Sequence, residues 1–241
     1  MRGPRDVSRE TWQEIRAGLA DTWTVGLGLI PLGLAFGMLM VQSGYAWWWT
    51  PIFSLVIYAG SMEFLAINLV SSGIGPLSAA LTGFMVNFRH IFYGLTFPRD
   101  AIPSAAARAY STYALTDESY AVVSAHPPGR LGGVRVLTIQ ALCQVLWVVP
   151  GILGALLGQV IPADIEGMDF ALTALFIVLA WESFRNNRDA SLPLVAGTLA
   201  VAAALVVPGQ MLMAALALYF FILVVRFRWR ESRGVTPKGD K

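Results

Sequence analysis

Glu63 and Arg89 are the residues whose setting most needs explaining, because both lie in otherwise apolar surroundings. Arg89 belongs to Asn87-Phe88-Arg89-His90, near the middle of a stretch running from Pro76 to Pro98. Glu63 lies about 24 positions before Asn87, in Ala59-Gly60-Ser61-Met62-Glu63-Phe64. The residues between the two prolines would make about 30 Å of helix, one hydrocarbon thickness. A charge at the centre of a lipid-embedded helix costs at least ~2.5–3.5 kcal/mol, so it is retained beside a partner or a water-filled cavity. The pair points to a polar path through a membrane.

Each group has a chemistry of its own. Glu63 follows a glycine and a serine, so Gly60, Ser61 and the nearby Asn68 could line a break in the helix, and Glu63 could carry a proton there. The competing reading is a structural ion pair between Glu63 and Arg89. At 100° per residue Asn87, His90 and Gly94 share one helix face, while Arg89 and Tyr93 point nearly opposite. Asn87 could therefore contact a substrate and His90 relay a proton, or His90 could simply pack; Arg89 is assigned to the structural ion pair. Further on, Tyr113, Asp117 and Tyr120 fall at i, i+4 and i+7, with Glu118 beside them. A carboxylate and phenols on one face suit a cation or ammonium site, or a solvated helix face, and Asp117 joins Glu63 and His90 as a proton-coupling candidate.

Gly26-Leu27-Gly28-Leu29-Ile30-Pro31-Leu32-Gly33 offers a different kind of site. Proline removes a backbone donor and dense glycine admits local unwinding, so carbonyls freed around Gly28, Pro31 and Gly33 could bind a substrate ammonium. The alternative is a small-residue helix contact.

The elements that must position these residues are helices. Hydrophobic residues make up 56% of the 241 and charged residues 13%, and the mean hydropathy is +0.61. A soluble chain of this length would need a charged surface that is missing here. A net charge of +2 argues against a nucleic-acid partner, and the single cysteine, Cys143, excludes an internal disulfide or a cysteine-cluster metal site. No HExxH, phosphate-binding loop or nucleophile elbow occurs, so neither catalytic residues, a metal nor a cofactor is expected.

Apolar windows fall at about 22–42, 50–71, 77–97, 134–159, 170–184, 192–208 and 211–228. An eighth, about 105–125, is too polar for a lipid-facing span and reads as a buried helix, a broken helix or a surface segment. The fold expected is an all-α polytopic membrane protein of seven to eight transmembrane helices, some broken by Gly or Pro. Residues 1–20 form an amphipathic N-terminal segment, 21–228 a single transmembrane domain and 229–241 a basic tail. Basic residues at Arg185, Arg188 and Arg226–Lys241 put the C-terminus in the cytoplasm by the positive-inside rule. The N-terminus is inside if 105–125 spans, the preferred reading, and outside if it does not. Pro31 precedes Glu63 by the same interval as Pro150 precedes Glu182, which raises the possibility of two repeated halves.

The runs AGSMEFLAINLVSSG (59–73), LTGFMVNFRHIFYGLTF (81–97) and YALTDESYAVV (113–123) resemble the AzlC family, the large subunit of branched-chain amino-acid exporters. In that family the position of Glu63 is frequently glutamine, in a GSAQF-like motif; this chain departs there. The resemblance implies export of valine, leucine or isoleucine by a secondary transporter of the cell (inner) membrane, proton coupling, and a small AzlD-like membrane partner. A passive channel is the alternative class; it would be expected to show rings of one residue type, and a membrane enzyme would need a clustered catalytic set.

Overall fold

The computed structural model describes residues 4–127, 129–160, 177, 181, 184, 189–207 and 211–232. Among them every regular element is helical: α1 (Pro4–Gln42), α2 (Trp49–Val56), α3 (Gly60–Ser71), α4 (Pro76–Asn87), α5 (Arg89–Thr96), α6 (Ala105–Tyr113), α7 (Asp117–Ser124), α8 (Gly133–Gly158), α9 (Ser191–Val206) and α10 (Met211–Ser232), with a 3-10 turn at Arg99–Ala101. Among the described residues two helices are long and apolar enough to cross a membrane, through Val25–Gln42 and Gly133–Gly158. The chain forms two compact units, Met1–Ile74 with Asn87–Leu172, and Gly75–Val86 with Thr173–Lys241.

The first unit is built on α1 and α8, which run parallel. A Cβ added at Gly18 would stand 2.9 Å from Thr138 Cβ, one at Gly33 would stand 2.8 Å from the Trp147 carbonyl, and one at Gly158 would stand 3.2 Å from Met38 Cα. The contacts climb both sequences together, so the two helices point the same way. Gly33 and Gly37 on α1, and Gly154 and Gly158 on α8, are four residues apart on their own helices, and each packs on the partner backbone. Without a hydrophobic drive between helices in lipid, this close backbone approach supplies the packing. The Gly/Pro run of α1 is therefore a helix–helix contact rather than a break: α1 continues through Pro31, as α8 does through Pro150. α1 is one continuous helix from Pro4 to Gln42, passing through residue 20.

Two helical hairpins pack against this pair from opposite ends. After α1 the chain turns back, and Thr50 on α2 meets Gly151 beside Phe36. The chain then reverses at Ile57-Tyr58-Ala59, where Tyr58 takes φ 41°, a left-handed conformation that costs a non-glycine residue about 1–2 kcal/mol. Ser54 before the turn and Glu63 after it are hydrogen-bonded, and Phe64 returns to Phe36, with ring centroids 5.3 Å apart. The window 50–71 is thus a hairpin that returns toward its starting end, not one continuous span.

The second hairpin enters from the other end. Ile102 and Ala101 lie against Gly133 at the start of α8, and Gln140 donates to the Ser111 carbonyl farther along α6 at 2.8 Å. The chain reverses at Ala114-Leu115-Thr116; Thr116 and Ser119 then form a reciprocal capping box that starts α7. At the far end of α7 His126 reaches Arg135 (3.1 Å), back near the start of α8. Both ends of the segment lie at the same end of α8, so 105–125 does not span as preferred above: a buried capping box and turn replace the continuous helix that spanning would require.

In the second unit the start of α9 adjoins the end of α10, because Arg226 pairs with Asp189 and donates to Ser191 Oγ at 2.5 Å. Asp189, just before α9, and the basic end of α10 therefore lie together. Ser191, by hydroxyl and amide, and then Arg226 hold the Asp189 carboxyl below the usual carboxylate range. Glu182, the second anchor of the Pro31/Pro150 repeat, and most of the 170–184 window lie outside the described residues.

Candidate functional site

The hairpins meet tip to tip. Tyr58 and Tyr113, the last residues before each reversal is complete, have ring centroids 5.5 Å apart. The Tyr113 hydroxyl donates to the Leu55 carbonyl at 2.6 Å and accepts from Gln144 of α8 at 3.0 Å. Around the junction a small cavity is lined by Leu29, Tyr58, Gly60, Thr116, Glu118, Cys143 and Trp147. Apolar walls from α1 and α8 thus surround polar groups from both tips.

Glu63 is fully buried beside this cavity. Its carboxylate accepts from Ser54 Oγ at 2.8 Å and from Trp147 Nε1 at 3.0 Å and 3.1 Å. The Trp147 indole stacks on Phe36 and covers Gly60. Burying a carboxyl without partners would cost several kcal/mol, and two donors from two helices offset that.

Arg89 does not pair with Glu63. Its guanidinium grips Asp117 bidentately, Nε to Oδ1 at 2.8 Å and a terminal nitrogen to Oδ2 at 2.5 Å, and also donates to Ser61 Oγ at 3.3 Å. Asp117 opens α7 and Ser61 lies in the first turn of α3, so one side chain bridges both tips. Planar guanidinium geometry makes that bridge directional, which an ammonium would not.

α4 and α5 are separated at Phe88 alone, which keeps helical dihedrals (φ −53°, ψ −32°), so Asn87 and His90 remain one turn apart. The Asn87 carbonyl lies 3.1 Å from His90 Nδ1, and Asn87 Oδ1 is buried without a hydrogen-bond partner among the described residues. His90 lies edge-on to Tyr93, with centroids 5.3 Å apart. The Tyr113–Asp117–Tyr120 stripe is divided by the second turn: Tyr113 faces the first hairpin, Asp117 meets Arg89, and Tyr120 stacks on Tyr93 at 4.2 Å.

Of the remaining candidates, Gly60 and Ser61 lie at the junction. Gly28 and Pro31 are on the exposed side of α1, Gly33 is buried against α8, and Asn68 is exposed farther along α3. The structure thus gathers Gly60, Ser61, Glu63, Arg89 and Asp117 and leaves Gly28, Pro31, Gly33 and Asn68 outside. Residues that the sequence reading passed over are Ser54, Tyr58 and Trp147, while Glu118, noted only as a neighbour of the stripe, faces the cavity. Among the described residues no three His, Cys, Asp or Glu side chains gather as a metal site requires.

Comparison with known proteins gives a consistent picture. The family model described as AzlC protein matches residues 24–161, which include the C-terminal half of α1, both hairpins and α8. The "Branched-chain amino acid transport protein AzlC" of Bacillus subtilis is 30% identical over 181 residues, covering 74% of this chain and 71% of that protein. An "Uncharacterized membrane protein" of Helicobacter pylori strain 26695 is 33% identical over 189 residues, 75% of this chain and 82% of the relative. The "Inner membrane protein YgaZ" of Escherichia coli K12 is 28% identical over 181 residues, 71% of this chain and 74% of the relative. No solved structure matches the chain.

Proposed function

The chain belongs to the AzlC protein family, and on that footing we propose that it is a secondary transporter that exports branched-chain amino acids across the cell (inner) membrane. The observation that carries the reading is the tip-to-tip meeting of two hairpins around a buried carboxylate. Interrupted helices that leave polar groups in a low-dielectric interior are how transporters hold small solutes without exposing backbone to lipid.

Valine, leucine or isoleucine would sit at the junction. Ala59 caps α3 without a side-chain bond, so the first amides of α3, around Gly60 and Ser61, could receive the substrate carboxylate. Leu29, Cys143 and the Trp147 indole would receive the branched side chain, and the unpartnered Asn87 Oδ1 could accept from the ammonium. Glu63 would carry the coupling proton, with His90 as a relay, while Arg89 and Asp117 hold the tips in register. Asp117, engaged by Arg89, is less suited to carrying a proton than its isolated position in the sequence implied.

With α1 and α8 parallel, the hairpins would enter the bilayer from opposite faces, and the end of α10 would lie in the cytoplasm. A small AzlD-like subunit would complete the transporter. The experiment is flux of labelled leucine from vesicles containing this chain and such a subunit, with and without a pH gradient. Saturable flux that responds to the gradient supports the proposal. Flux that never saturates favours a passive channel, and no flux of any branched-chain amino acid rejects the substrate.

A further inference from the structure

The two hairpin tips share more than their meeting point. Tyr58-Ala59-Gly60-Ser61-Met62-Glu63 and Tyr113-Ala114-Leu115-Thr116-Asp117-Glu118 align without a gap at a fixed interval of 55 positions. Tyrosine, alanine and glutamate recur, and a hydroxyl residue recurs as Ser61 and Thr116. The register continues on the outgoing helices, where Phe64 and Ser119, then Ile67 and Val122, are buried at equivalent places. Tyr113 ends its incoming helix and Tyr58 lies in the turn two residues beyond its own, while each glutamate lies in the first turn of the outgoing helix. Because the hairpins enter from opposite ends of the α1/α8 pair, the copies are inverted. This duplication is independent of the Pro31/Pro150 spacing, which relates helices that run parallel.

The equivalent glutamates are not in equivalent states. Glu63 is fully buried and held by Ser54 and Trp147. Glu118 instead faces the cavity with Thr116 and Tyr58. Trp147 donates to Glu63 and also lines the cavity that Glu118 faces, so both carboxylates belong to one junction, and carboxyl groups held together in a low-dielectric interior do not both ionise readily. An inverted pair in which one member is sealed by its partners and the other lines a cavity is what a two-state device would present in one of its states.

We infer that Glu118 is a second proton-carrying carboxylate of the transport site, the counterpart of Glu63 on the opposite hairpin. The inference rests on the proton-coupled transporter reading. The step is a proton transfer with solvent: Glu118 gains its O–H bond as an O–H bond of hydronium breaks, and the carboxylate is restored when that proton passes back to water. Charged or titratable groups facing Glu118 are Asp117 at its own tip, Arg89 on α5, Glu63 and Tyr58 on the first hairpin, and Cys143 on α8. Arg89 is committed to Asp117 by two hydrogen bonds, so it does not supply a fixed counter-charge to Glu118 alone.

The test has two readouts on the transporter purified with its partner. The first is labelling by a hydrophobic carbodiimide, which adds to protonated carboxyl groups, followed by mass spectrometry of the Glu118 peptide across a pH series. Labelling of Glu118 that falls as pH rises and is suppressed by leucine is expected; no labelling at any pH overturns the inference. The second is leucine flux: Glu118→Gln should abolish stimulation by a pH gradient, and Glu118→Asp should restore part of it. Full stimulation in Glu118→Gln overturns the inference. If the unmodified protein moves no leucine, the substrate reading fails, while the labelling still decides the role of Glu118.

Discussion

Arg89 and Asp117 form a bidentate pair between the start of α5 and the start of α7, and the same guanidinium reaches Ser61 on the opposite hairpin. One side chain therefore fixes the relative position of two tips that approach from opposite ends. The side chains of the pair are each 39% exposed, so solvent screening limits its worth, and its main effect is positional.

A double-mutant cycle measures that coupling. Arg89→Gln and Asp117→Asn should each lower the thermal midpoint of the purified protein, and the double variant should lose less than the sum. A coupling of about 1 kcal/mol is expected for two groups in direct contact. Strict additivity would show that the two residues do not act as a unit.

Hairpin topology makes a prediction about sidedness. In a background with Cys143 replaced by serine, Ala105→Cys and Ala125→Cys should both react with an impermeant thiol reagent from the same membrane face. Trp47→Cys, at the outer end of the first hairpin, should react from the other face. Reaction of Ala105→Cys and Ala125→Cys from opposite faces would mean that the segment spans after all.

Backbone contact between α1 and α8 leaves no room for larger side chains. A Cβ at Gly37 would collide with the Gly151 carbonyl, which is backbone and cannot swing away. Gly37→Leu should therefore lower the folded yield and the thermal midpoint, at a cost of ~1–3 kcal/mol or more. Gly28→Ala, which meets nothing within 4 Å, is the control. Equal stability of Gly37→Leu and Gly28→Ala would contradict the parallel packing.

Much of this was legible in the sequence, but selectively. Composition gives the helical class, and the isolated charges pointed to Glu63 and Arg89 because lipid makes such residues expensive. The pairing of those charges was not legible: Glu63 and Arg89 are the natural partners in a one-dimensional reading, whereas the structure satisfies Glu63 with Ser54 and Trp147. Trp147 carries no signal of its own among the apolar residues of α8. The hairpins were hidden because a window of about twenty apolar residues looks the same whether it crosses or returns. Tyr58 at positive φ, the residue that makes the first return, is not a type that announces a turn. Pro31 misled in the other direction, since a helix tolerates proline where neighbouring helices support it. The signal that could have exposed both tips is the repeated Tyr-Ala-X-Ser/Thr-X-Glu at a fixed interval.

In the proposed mechanism the buried Glu63 at the junction of the two tips couples leucine movement to protons. The direct measurement is pH-gradient-driven leucine flux through Glu63→Gln, reconstituted with its partner and checked for an unchanged elution profile. Glutamine keeps the size of the side chain and an acceptor for Ser54 and Trp147, but it cannot carry the proton. Glu63→Gln should fold normally, and its leucine flux should no longer respond to the gradient. A response equal to that of the unmodified protein would contradict the mechanism.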